Sequence, residues 1–493
     1  MIPVGAFTAN GRSKSLNAAR LVNLYPEFPV PDSRSKVILR STPGLEEWVT
    51  VGTGPIRGVH VMAGLLFAVS GTNLYSIASD GTATLRGSAG TIAGTGPVSM
   101  ASNFAGELVI TNSSGTGWIW NGSTLQALSS VDADFTDDAT NVTFVDQYIL
   151  YGKKNTGQVF ASDLNDATSW SALSFASAEA DEDNVSFVYG FSGYVWVFGD
   201  KTTEVWYNAA TSPFAFARIQ GAVMNDIGGV ANTVADIDNT LYWRAPNGNV
   251  YRARGLQPER ISTHEVEFNI KGWTNHYAFA YMDEGHAFYV LGADEGCYVF
   301  DATTNLWHER ETFTVGRWRA QNYANIYGKH LVGDYLIGRI YEMSLENYAD
   351  GANSLQRKVI SPPIEANGEW IAFSHLQVHF EHGVGISGPP ATEFYLEQAL
   401  DEDGLPLLDE SGQPILLELS RLTDPQGSDP QVILRWSDDG GNTWSNEHWG
   451  ATGKIGEYEK RTYWNAMGSA RKRVYELTYT DPTKFAIYGA DLR

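Results

Sequence analysis

The stretch YVWVFGDKTTEVWYN, residues 194–208, contains the pattern that predicts the fold. An apolar run, Val195–Val197, is followed by a polar turn and then by an aliphatic and an aromatic residue, Val205 and Trp206. Two apolar segments separated by a short turn with Gly and Asp are typical of a β-hairpin. Similar hairpin signals recur along the chain, and this regular recurrence indicates a repeat architecture.

The aliphatic–aromatic pair occurs seven times, each time a few residues after another apolar run. The pairs are Leu74–Tyr75, Ile119–Trp120, Val159–Phe160, Val205–Trp206, Val250–Tyr251, Val299–Phe300 and Ile340–Tyr341. Successive aromatic residues are 45, 40, 46, 45, 49 and 41 positions apart, close to the ~40–45 residues of a four-stranded propeller blade. A small sheet cannot bury both faces alone, so radial stacking would place these aromatic side chains between blades. We therefore predict an all-β chain with a β-propeller of six or seven blades over residues 41–350; a β-solenoid, with shorter repeats, is the alternative.

The repeat stops after residue 350, and Pro362–Pro363 marks a boundary. Strand-like alternation over residues 370–382, followed by the segments VILRWS and RVYELTY, predicts a C-terminal β-sandwich over residues 351–493. An acidic insertion at about residues 384–430 contains a second, short repeat. Its two copies are LDEDGLPLL (400–408) and DESGQPILL (409–417), which predict an acidic meander or a protruding hairpin.

The charge is acidic overall and unevenly distributed. The 493 residues carry 34 Lys and Arg against 57 Asp and Glu, a net charge of −23. Residues 1–40 have a net charge of +4 and residues 470–493 of +2, which leaves −29 for the part between them. Residues 393–418 contain eight acids and no base. Because binding to duplex DNA relies on Lys and Arg at the phosphates, such a chain is a poor candidate for gripping DNA or an anionic membrane.

Residues 1–40 contain Pro26, Pro29 and Pro31 and predict an extended N-terminal arm that needs a partner surface to be ordered. Its first residues, MIPVGAFTANGRSKS, show no apolar segment of a signal peptide, and no apolar run is long enough for a transmembrane helix. The single cysteine, Cys297, excludes an intramolecular disulfide. We expect folding in a reducing cytosol, with Cys297 as a small buried apolar residue.

The sharpest local motif is an Asp-box, formed by Ser437, Asp439, Gly441, Thr443 and Trp444. Sialidases carry several such boxes, one in each blade, whereas this chain has one, outside the predicted propeller. The box is a turn in which Ser and Asp side chains bind backbone N–H groups. We therefore interpret it as a structural turn.

Other polar clusters do not indicate catalysis or a metal site. On a strand, His375 and His379 lie about 13 Å apart, and His382 is on the other face, so the three cannot share one ion. The acidic clusters do not have the spacing of a calcium loop; they are Asp132, Asp134, Asp137, Asp138, Glu179, Asp181, Glu182 and Asp183. No catalytic, cofactor or metal residues are predicted. The basic run Arg471, Lys472 and Arg473 is either a solvated strand end or a contact with an acidic neighbouring subunit. DNA binding is the third alternative, and the acidic net charge disfavours it.

Several long stretches resemble the packaged-DNA stabilisation proteins of short-tailed bacteriophages, the tail hub or nozzle family. They are LVNLYPEFPV (21–30), LRSTPGLEEW (39–48), ASDLNDATSWSALSFASAEADED (161–183), FGDKTTEVWYN (198–208), IGGVANTVADIDNTLYW (227–243), GNVYRARGLQPERISTHEVE (248–267) and RVYELTYTDPTKFAIYGADL (473–492). The resemblance spans residues 21–492 and is densest over 161–267. The region 384–430 departs from the family pattern.

The resemblance implies a structural virion protein and no enzyme. Such proteins form a homo-oligomeric ring, expected to be a hexamer, below the portal and its adaptor ring. They continue the DNA channel, stabilise the packaged genome, control its ejection, hold a tail plug or needle and contact tailspikes or fibres. The expected location is the virion tail, assembled in the host cytoplasm, with no membrane insertion.

An acidic channel wall would repel phosphate and let DNA pass without tight binding. We therefore predict that acids of the short repeat face the channel, namely Asp401, Glu402, Asp403, Asp409 and Glu410. A glycan-binding or glycan-degrading, sialidase-like propeller tail protein is the alternative, and a host-side interaction scaffold is a third class.

Overall fold

The computed structural model describes residues 7–11, 17–29, 36–386, 391–400, 405–423 and 425–493. Within these residues the chain forms 45 strands and two short helices, α1 (Leu128–Val131) and α2 (His264–Ile270). Neither helix is long enough and apolar enough to cross a membrane. The protein is therefore all-β, as the sequence predicts.

Four strands precede the repeated units: β1 (Arg20–Val22), β2 (Leu24–Glu27), β3 (Ile38–Ser41) and β4 (Gly44–Thr50). Five four-stranded antiparallel sheets, which we call blades one to five, then follow in order. Blade one contains β5 (Ile56–Met62), β6 (Leu65–Ser70), β7 (Asn73–Ile77) and β8 (Ala83–Arg86). Blade two contains β9 (Val98–Ser102), β10 (Leu108–Asn112), β11 (Gly117–Trp120) and β12 (Leu125–Ala127). Blade three contains β13 (Ala139–Val145), β14 (Tyr148–Lys153), β15 (Gln158–Asp163) and β16 (Asp166–Ser177).

Blade four contains β17 (Val185–Phe191), β18 (Tyr194–Gly199), β19 (Thr203–Asn208) and β20 (Phe216–Met224). Blade five contains β21 (Ala235–Ile237), β22 (Thr240–Arg244), β23 (Val250–Arg254) and β24 (Gln257–Arg260). Blade six contains β25 (Tyr277–Asp283), β26 (His286–Ala293), β27 (Gly296–Asp301) and β28 (Leu306–Glu309). Blade seven contains β29 (Ala320–Ile326), β30 (Lys329–Asp334) and β31 (Arg339–Ser344), and its fourth strand is β4. Thr50 pairs with Arg339 and Gly44 with Ser344, so a strand from before blade one completes the last blade.

The aliphatic–aromatic pairs all lie on the third strand contributed by their blade, opposite the apolar run on the second strand. In every blade the aliphatic residue joins the hydrophobic cluster shared with the following blade, and the aromatic residue joins the one shared with the preceding blade. Val205, for example, shares a cluster with Trp243 of blade five, and Trp206 shares one with Leu150 of blade three. The reason is that adjacent residues of a strand point to opposite faces.

The second strands are apolar on both faces because both faces meet a neighbouring blade. Val195, Trp196 and Val197 of β18 are at most 1% exposed. Near the propeller axis, polar side chains of the first strands also form hydrogen bonds between neighbouring blades. Asn141 of blade three donates to the Val188 carbonyl and accepts from the Val188 N–H of blade four, at 2.7 and 2.9 Å.

The C-terminal part supplies the remaining strands. They are β32 (Ala349–Asp350), β33 (Asn353–Ser354), β34 (Arg357–Ile360), β35 (Ile364–Glu365), β36 (Ile371–Ala372), β37 (His375–Phe380), β38 (Ala391–Gln398), β39 (Leu416–Thr423), β40 (Gln431–Ser437), β41 (His448–Ala451), β42 (Thr462–Asn465), β43 (Ser469–Ala470), β44 (Lys472–Tyr479) and β45 (Ala486–Leu492). One sheet has the order β1–β34–β44–β40–β41, and the other β2–β3–β45–β37–β42. The two sheets enclose one apolar core and form the sandwich.

Strands β1 to β3, which make up most of the described part of the N-terminal arm, belong to this sandwich, whereas Thr8 and Asn10 bond to Trp307 and Asn269 on the propeller side. Leu21, Leu24 and Leu39 are at most 1% exposed and lie in the sandwich core. The arm's partner surface is therefore found within the same chain. β1 also pairs in parallel with β28 of blade six, so one continuous sheet connects propeller and sandwich. At this junction, the Arg20 guanidinium donates to both carboxylate oxygens of Glu309.

Strands β38 and β39 form a separate two-stranded hairpin. Eight residues of each strand are paired, from Ala391 opposite Thr423 to Gln398 opposite Leu416. At about 3.3 Å per residue the ribbon is about 26 Å long. In the described residues neither strand pairs with any other strand, so the hairpin stands apart from both sheets.

Candidate functional site

The Asp-box residues lie in one tight turn that follows β40. The Ser437 hydroxyl donates to the Asp439 carboxylate at 2.7 Å and accepts the Gly441 N–H at 2.7 Å. The Asp439 carboxylate also accepts the Thr443 N–H and the Thr443 hydroxyl. These donors hold the pKa of Asp439 well below its usual range. Gly441 has a φ of 95°, a conformation that favours glycine.

Trp444 of the Asp-box is half-buried and packs on a small apolar cluster that contains Ala18 of the arm. The Arg435 guanidinium lies over its ring, 5.6 Å from the centroid. The carboxylate of Asp439 is thus engaged by the turn, and the indole by the sandwich surface. This arrangement stabilises a loop and leaves no free carboxylate in the motif for chemistry.

The basic run divides into an exposed and a buried part. Arg473 is 1% exposed, and its guanidinium donates to both oxygens of Asp438, at 2.6 and 2.8 Å. It also donates to the Met467 carbonyl at 2.7 Å. Arg473 is therefore part of the sandwich core and is inaccessible to a neighbouring subunit. Arg471 and Lys472 are left as candidates for such a contact.

Arg471 is exposed and its guanidinium lies 5.6 Å from the ring centroid of Trp370. Trp370 is itself 65% exposed, an unusual state for so large an apolar side chain. Lys472 is the first residue of β44, beside β35. A cation stacked on an exposed indole keeps its N–H edges available for a carboxylate. Glu365, which pairs with Lys472, and Glu369 are exposed beside these residues, so this end of the sandwich has mixed charge.

The acids in the connections before and after blade three bind backbone N–H groups. The Asp132 carboxylate accepts the Trp170 N–H at 2.9 Å, and Asp137 accepts the Gly117 N–H at 3.1 Å. Asp183 accepts the N–H groups of Lys201 and Thr202, both at 2.8 Å. These acids therefore hold loops between strands and between blades. The sequence analysis excluded a calcium loop but did not predict this role.

The propeller has a small cavity of ≈ 200 Å³ along its axis, lined by first-strand residues such as Ser99, Asn141, Tyr189 and Asn322. The residues lining it include no Asp or Glu. Retaining and inverting glycosidases use a pair of carboxylates, so this cavity lacks the groups for that chemistry.

The three histidines of the C-terminal part have separate partners. His375 contacts Asn465 at 2.7 Å, His379 contacts Asp491 at 3.0 Å, and His382 contacts the Thr452 carbonyl at 2.9 Å. In the part of the chain that the structure describes, no group of three or more His, Cys, Asp or Glu could hold a metal ion. Cys297 is buried, and burial raises the pKa of its thiol to about 12, so it is a poor nucleophile.

The tip of the β38–β39 hairpin is folded into a small knob, residues 399–400 and 405–415. Its backbone forms a ring of three hydrogen bonds at 2.8 Å, from Ala399 to Ile415, from Leu407 to Ala399 and from Ile415 to Leu407. These residues are eight positions apart, and bridges Leu400–Pro406 and Leu408–Pro414 repeat with the same period. The short sequence repeat over residues 400–417 is the feature of the sequence that corresponds to this knob.

The knob exposes its apolar side chains. They are Leu400, Leu405, Leu407, Leu408 and Ile415, together with Leu416 and Leu417 at the start of β39. Their exposure ranges from 39% for Ile415 to 61% for Leu405. The acidity of the repeat drew attention to its carboxylates, whereas these leucines were missed. Of the predicted channel acids, Asp401, Glu402 and Asp403 lie outside the described residues.

Asp409 and Glu410 are exposed in the second turn of the knob. The Asp409 carboxylate accepts the N–H groups of Ser411 and Gln413, at 2.8 and 2.9 Å. These donors lower the pKa of Asp409. Asp409 therefore holds the turn, and Glu410 beside it presents its carboxylate to solvent.

The solved structures that resemble the chain are distant. A catalytically inactive virginiamycin B lyase from Staphylococcus aureus with quinupristin has 12% identity and a TM-score of 0.43, over 61% of this chain and 99% of its own. The computationally designed Ika8 protein has 13% identity and a TM-score of 0.40, over 61% and 99%. The Neurospora crassa Pan2 WD40 domain has 10% identity and a TM-score of 0.39, over 60% and 95%. Likenesses this distant bear on neither substrate nor partner.

No curated protein matches the chain. Two family models do match it, and their order along the chain is that of the two domains. The model described as the β-propeller of bacteriophage P22 Gp10 matches residues 3–348, and the model described as its β-sandwich matches residues 405–493. The second match includes part of the region 384–430, which was expected to depart from the family. Because the matches together cover well over half of the chain, the protein belongs to the bacteriophage P22 Gp10 family of packaged-DNA stabilisation, or tail-hub, proteins.

Proposed function

We propose that the protein is a tail hub or nozzle that forms a ring below the portal and its adaptor. In this position the ring continues the DNA channel, helps to retain the packaged genome and controls its ejection. The observation that carries the proposal is the match of both domains to one family of structural phage proteins. A sixfold ring, contacts with a plug or needle and with tailspikes or fibres, and assembly in the host cytoplasm are parts of the same proposal.

The construction of the molecule supports a role as a rigid ring subunit. Blade six and one sheet of the sandwich are continuous through β1, and β4 closes the propeller. Relative motion of propeller and sandwich would break the β28–β1 pairing and the contact between Arg20 and Glu309. A rigid block of this kind suits a channel wall that must resist pressure from packaged DNA.

The charge distribution supports passage of DNA without adhesion. A net charge of −23 repels phosphate over about a Debye length, which is ~8 Å at physiological ionic strength. In one placement of the hairpin, the acids of the knob face the DNA channel, as the sequence predicts. A contact with another protein of the tail is the other placement, and the exposed leucines of the knob favour it.

A non-enzymatic role is part of this proposal. The Asp-box that motivates a sialidase-like alternative is a hydrogen-bonded turn outside the propeller, and its carboxylate is engaged. The axial cavity offers no carboxylate pair. Neither site favours glycan hydrolysis.

Negative-stain electron microscopy of the purified chain, alone and with the portal and adaptor of the same phage, tests the proposal. Rings attached below the adaptor are expected, with one ring per portal complex. A chain that remains monomeric alone and never joins the portal and adaptor would overturn the proposal. Turnover of a sialoside or polysaccharide by the purified chain would establish the alternative instead.

A further inference from the structure

We propose that neighbouring turns of blades two and three form a docking surface for a segment of another tail protein, one that carries Lys or Arg around an apolar side chain. We call Phe104, Phe144 and Leu164 the turn patch. The proposal rests on the proposed function, which places the chain in the tail, and adds a surface for a partner other than a second copy. Its supports are the exposure of the patch, its rigid attachment and the charge around it.

The turn patch exposes large apolar side chains. Phe104, in the turn between β9 and β10, is 78% exposed, the highest value for a large apolar side chain among the described residues. Leu164, in the turn between β15 and β16, is 57% exposed. The ring of Phe104 meets the half-buried ring of Phe144 edge to face, with the centroids 5.2 Å apart. Large apolar side chains that are exposed together mark contacts between proteins.

The turn that carries Phe104 is shaped by other residues. The Asn103 side chain accepts the Glu107 N–H at 3.0 Å and donates to the Glu107 carboxylate at 2.6 Å. Gly106 has a φ of 81°, which favours glycine. Turn positions are normally occupied by Gly, Asn, Asp or Ser, which supply the required conformations. The phenylalanine side chain is therefore not needed for the turn, and its exposure calls for a partner.

The turns of the two blades are attached to each other before any partner binds. The Phe104 N–H donates to the Asn165 side-chain oxygen at 3.1 Å, and the Asn165 N–H donates to the Gln147 carbonyl at 2.8 Å. The Glu107 carboxylate also accepts the Ala167 N–H, at 2.7 Å. These bonds join one turn of blade two to both turns of blade three. A preformed surface of this kind loses little conformational entropy on binding.

The charge around the turn patch is acidic. Glu107, Asp146, Asp163 and Asp166 each lie within three positions of a patch residue. Because the strands of a blade are antiparallel, the turns after its first and third strands lie on the same face of the propeller. In blades one to four these turns contain no Lys, Arg or His; they are residues 63–64, 78–82, 103–107, 121–124, 146–147, 164–165, 192–193 and 209–215. No base in these turns offsets the acids.

This combination selects the occupant. DNA and anionic membranes carry negative charge, and a second copy of the chain has a net charge of −23, so all three would be repelled by the acids. A segment with Lys or Arg would be attracted, while an apolar side chain between them would cover Phe104. The sandwich joins the propeller at blade six, through β1 and β28. The occupant is therefore a basic segment of another protein of the tail.

The first test identifies the occupant in complete virions. The photoreactive analogue benzoylphenylalanine replaces Phe104 in the full chain, and in the control it replaces Leu173, which is 70% exposed on β16. After irradiation, mass spectrometry is expected to find cross-links from position 104 to a segment of another tail protein with Lys or Arg beside the cross-linked side chain. The control position should not cross-link to that segment.

The outcomes of this test separate the docking surface from the proposed function. Cross-links from position 104 only to a second copy, cross-links only to segments without Lys or Arg, or no cross-links would each overturn the docking proposal. The proposed function would stand in these cases as long as purified tails contain the chain. Virions that lack the chain would overturn both.

The second test measures the apolar contribution with the purified full chain and a synthetic peptide of the cross-linked segment. Phe104→Ser with Leu164→Ser is expected to raise the Kd at least about tenfold. Leu173→Ser, the matched control at another exposed position of blade three, should leave the Kd unchanged. Fluorescence anisotropy measures binding, and circular dichroism checks folding. Equal affinity of the double variant and the wild type would show that the turn patch is not the docking surface.

The third test measures the contribution of charge with the same peptide. Asp146→Asn is expected to raise the Kd about threefold and to weaken its dependence on salt. Asp226→Asn, in the connection between blades four and five, is the control; both residues are exposed and have positive φ values, 47° and 60°, which Asn also tolerates. An unchanged Kd for Asp146→Asn, together with a wild-type Kd that does not vary with salt, would overturn the choice of a basic partner.

Discussion

Blades three and four and the β38–β39 hairpin are both rich in aliphatic residues and acids, but these side chains have opposite environments in the two regions. In the blades the aliphatic residues are buried between sheets, and carboxylates such as Asp183 accept backbone N–H groups. In the hairpin the leucines are exposed and Glu410 faces solvent. A count of charges along the sequence therefore does not distinguish acids that hold loops from acids that are available to a partner.

The two regions should also differ in how much their side chains contribute to the free energy of unfolding. Removing a group from a blade should cost folding free energy, because each blade is held by its two neighbours. Removing a group from the hairpin should leave the free energy of unfolding nearly unchanged and act on assembly instead. The four predictions below test this contrast.

The largest effect is expected for Trp206→Ala. Trp206 is 1% exposed, packs against Phe214 and donates its indole N–H to Glu204 at 2.7 Å. The loss of a buried aromatic side chain costs about 3–5 kcal/mol of unfolding free energy. Urea denaturation followed by fluorescence measures it. Trp449→Ala, at a tryptophan 60% exposed on β41, should change the unfolding free energy by less than about 0.5 kcal/mol; equal losses for both would remove the contrast.

A smaller loss is expected for Asp183→Ala. Two backbone N–H groups, those of Lys201 and Thr202, would lose their acceptor, at a cost of about 2 kcal/mol. Gly199 must be a glycine here, because a Cβ would lie 2.3 Å from the Asp183 carboxylate. Thermal denaturation provides the measurement. Glu179→Ala, at an exposed acid in the same stretch, is the control and should leave the stability unchanged. An equal loss of stability in both variants would show that net charge, and not the hydrogen bonds of Asp183, determines the effect.

The third prediction concerns pH. Turn donors lower the pKa of Asp439 in the sandwich and of Asp409 in the knob. A lowered pKa means that the carboxylate stabilises the fold above its ordinary pKa of 3.8, and that this contribution is lost as the pH falls below that value. Asp439→Asn should therefore flatten the acid limb of the stability profile between pH 5 and pH 2. Asp409→Asn should leave the profile unchanged, because the Asp409 turn is exposed at the tip of the hairpin; a parallel response of both would contradict that independence.

The smallest effect on stability is expected for Leu408→Ser. Leu408 is 56% exposed, so the unfolding free energy should change by less than about 0.5 kcal/mol. Calorimetry of the purified chain at a concentration below assembly makes the measurement. A loss above about 1 kcal/mol would show that the knob packs on the body of the protein.

The sequence predicts the propeller well because its signal is local. Each hairpin of second and third strands is contained in about 15 residues, as in 194–208, and the alternation within a strand decides which interface Val205 and Trp206 enter. The order of propeller and sandwich could also be predicted, and so could a hairpin in the acidic region.

What could not be predicted depends on contacts between distant residues. The pairing of β4 with β31, and the entry of Leu21 and Leu39 into the sandwich core, join segments hundreds of residues apart. Arg473 lies in a basic run, and its burial depends on Asp438, 35 residues earlier. The exposed leucines of the knob were missed because apolar residues in a strand pattern are normally expected to be buried.

The closure of blade seven by β4 also has a consequence for the order of folding. β4 leaves the ribosome long before β31, and at about 5–20 residues per second the 289 residues between Thr50 and Arg339 take about 15–60 s to synthesise. During that time the edges of β4 and the apolar faces of β1–β3 have no native partner on the chain. The nascent chain must therefore keep its first strands from pairing with other nascent chains, and the propeller becomes a closed ring only after β31, which ends at Ser344, has been synthesised.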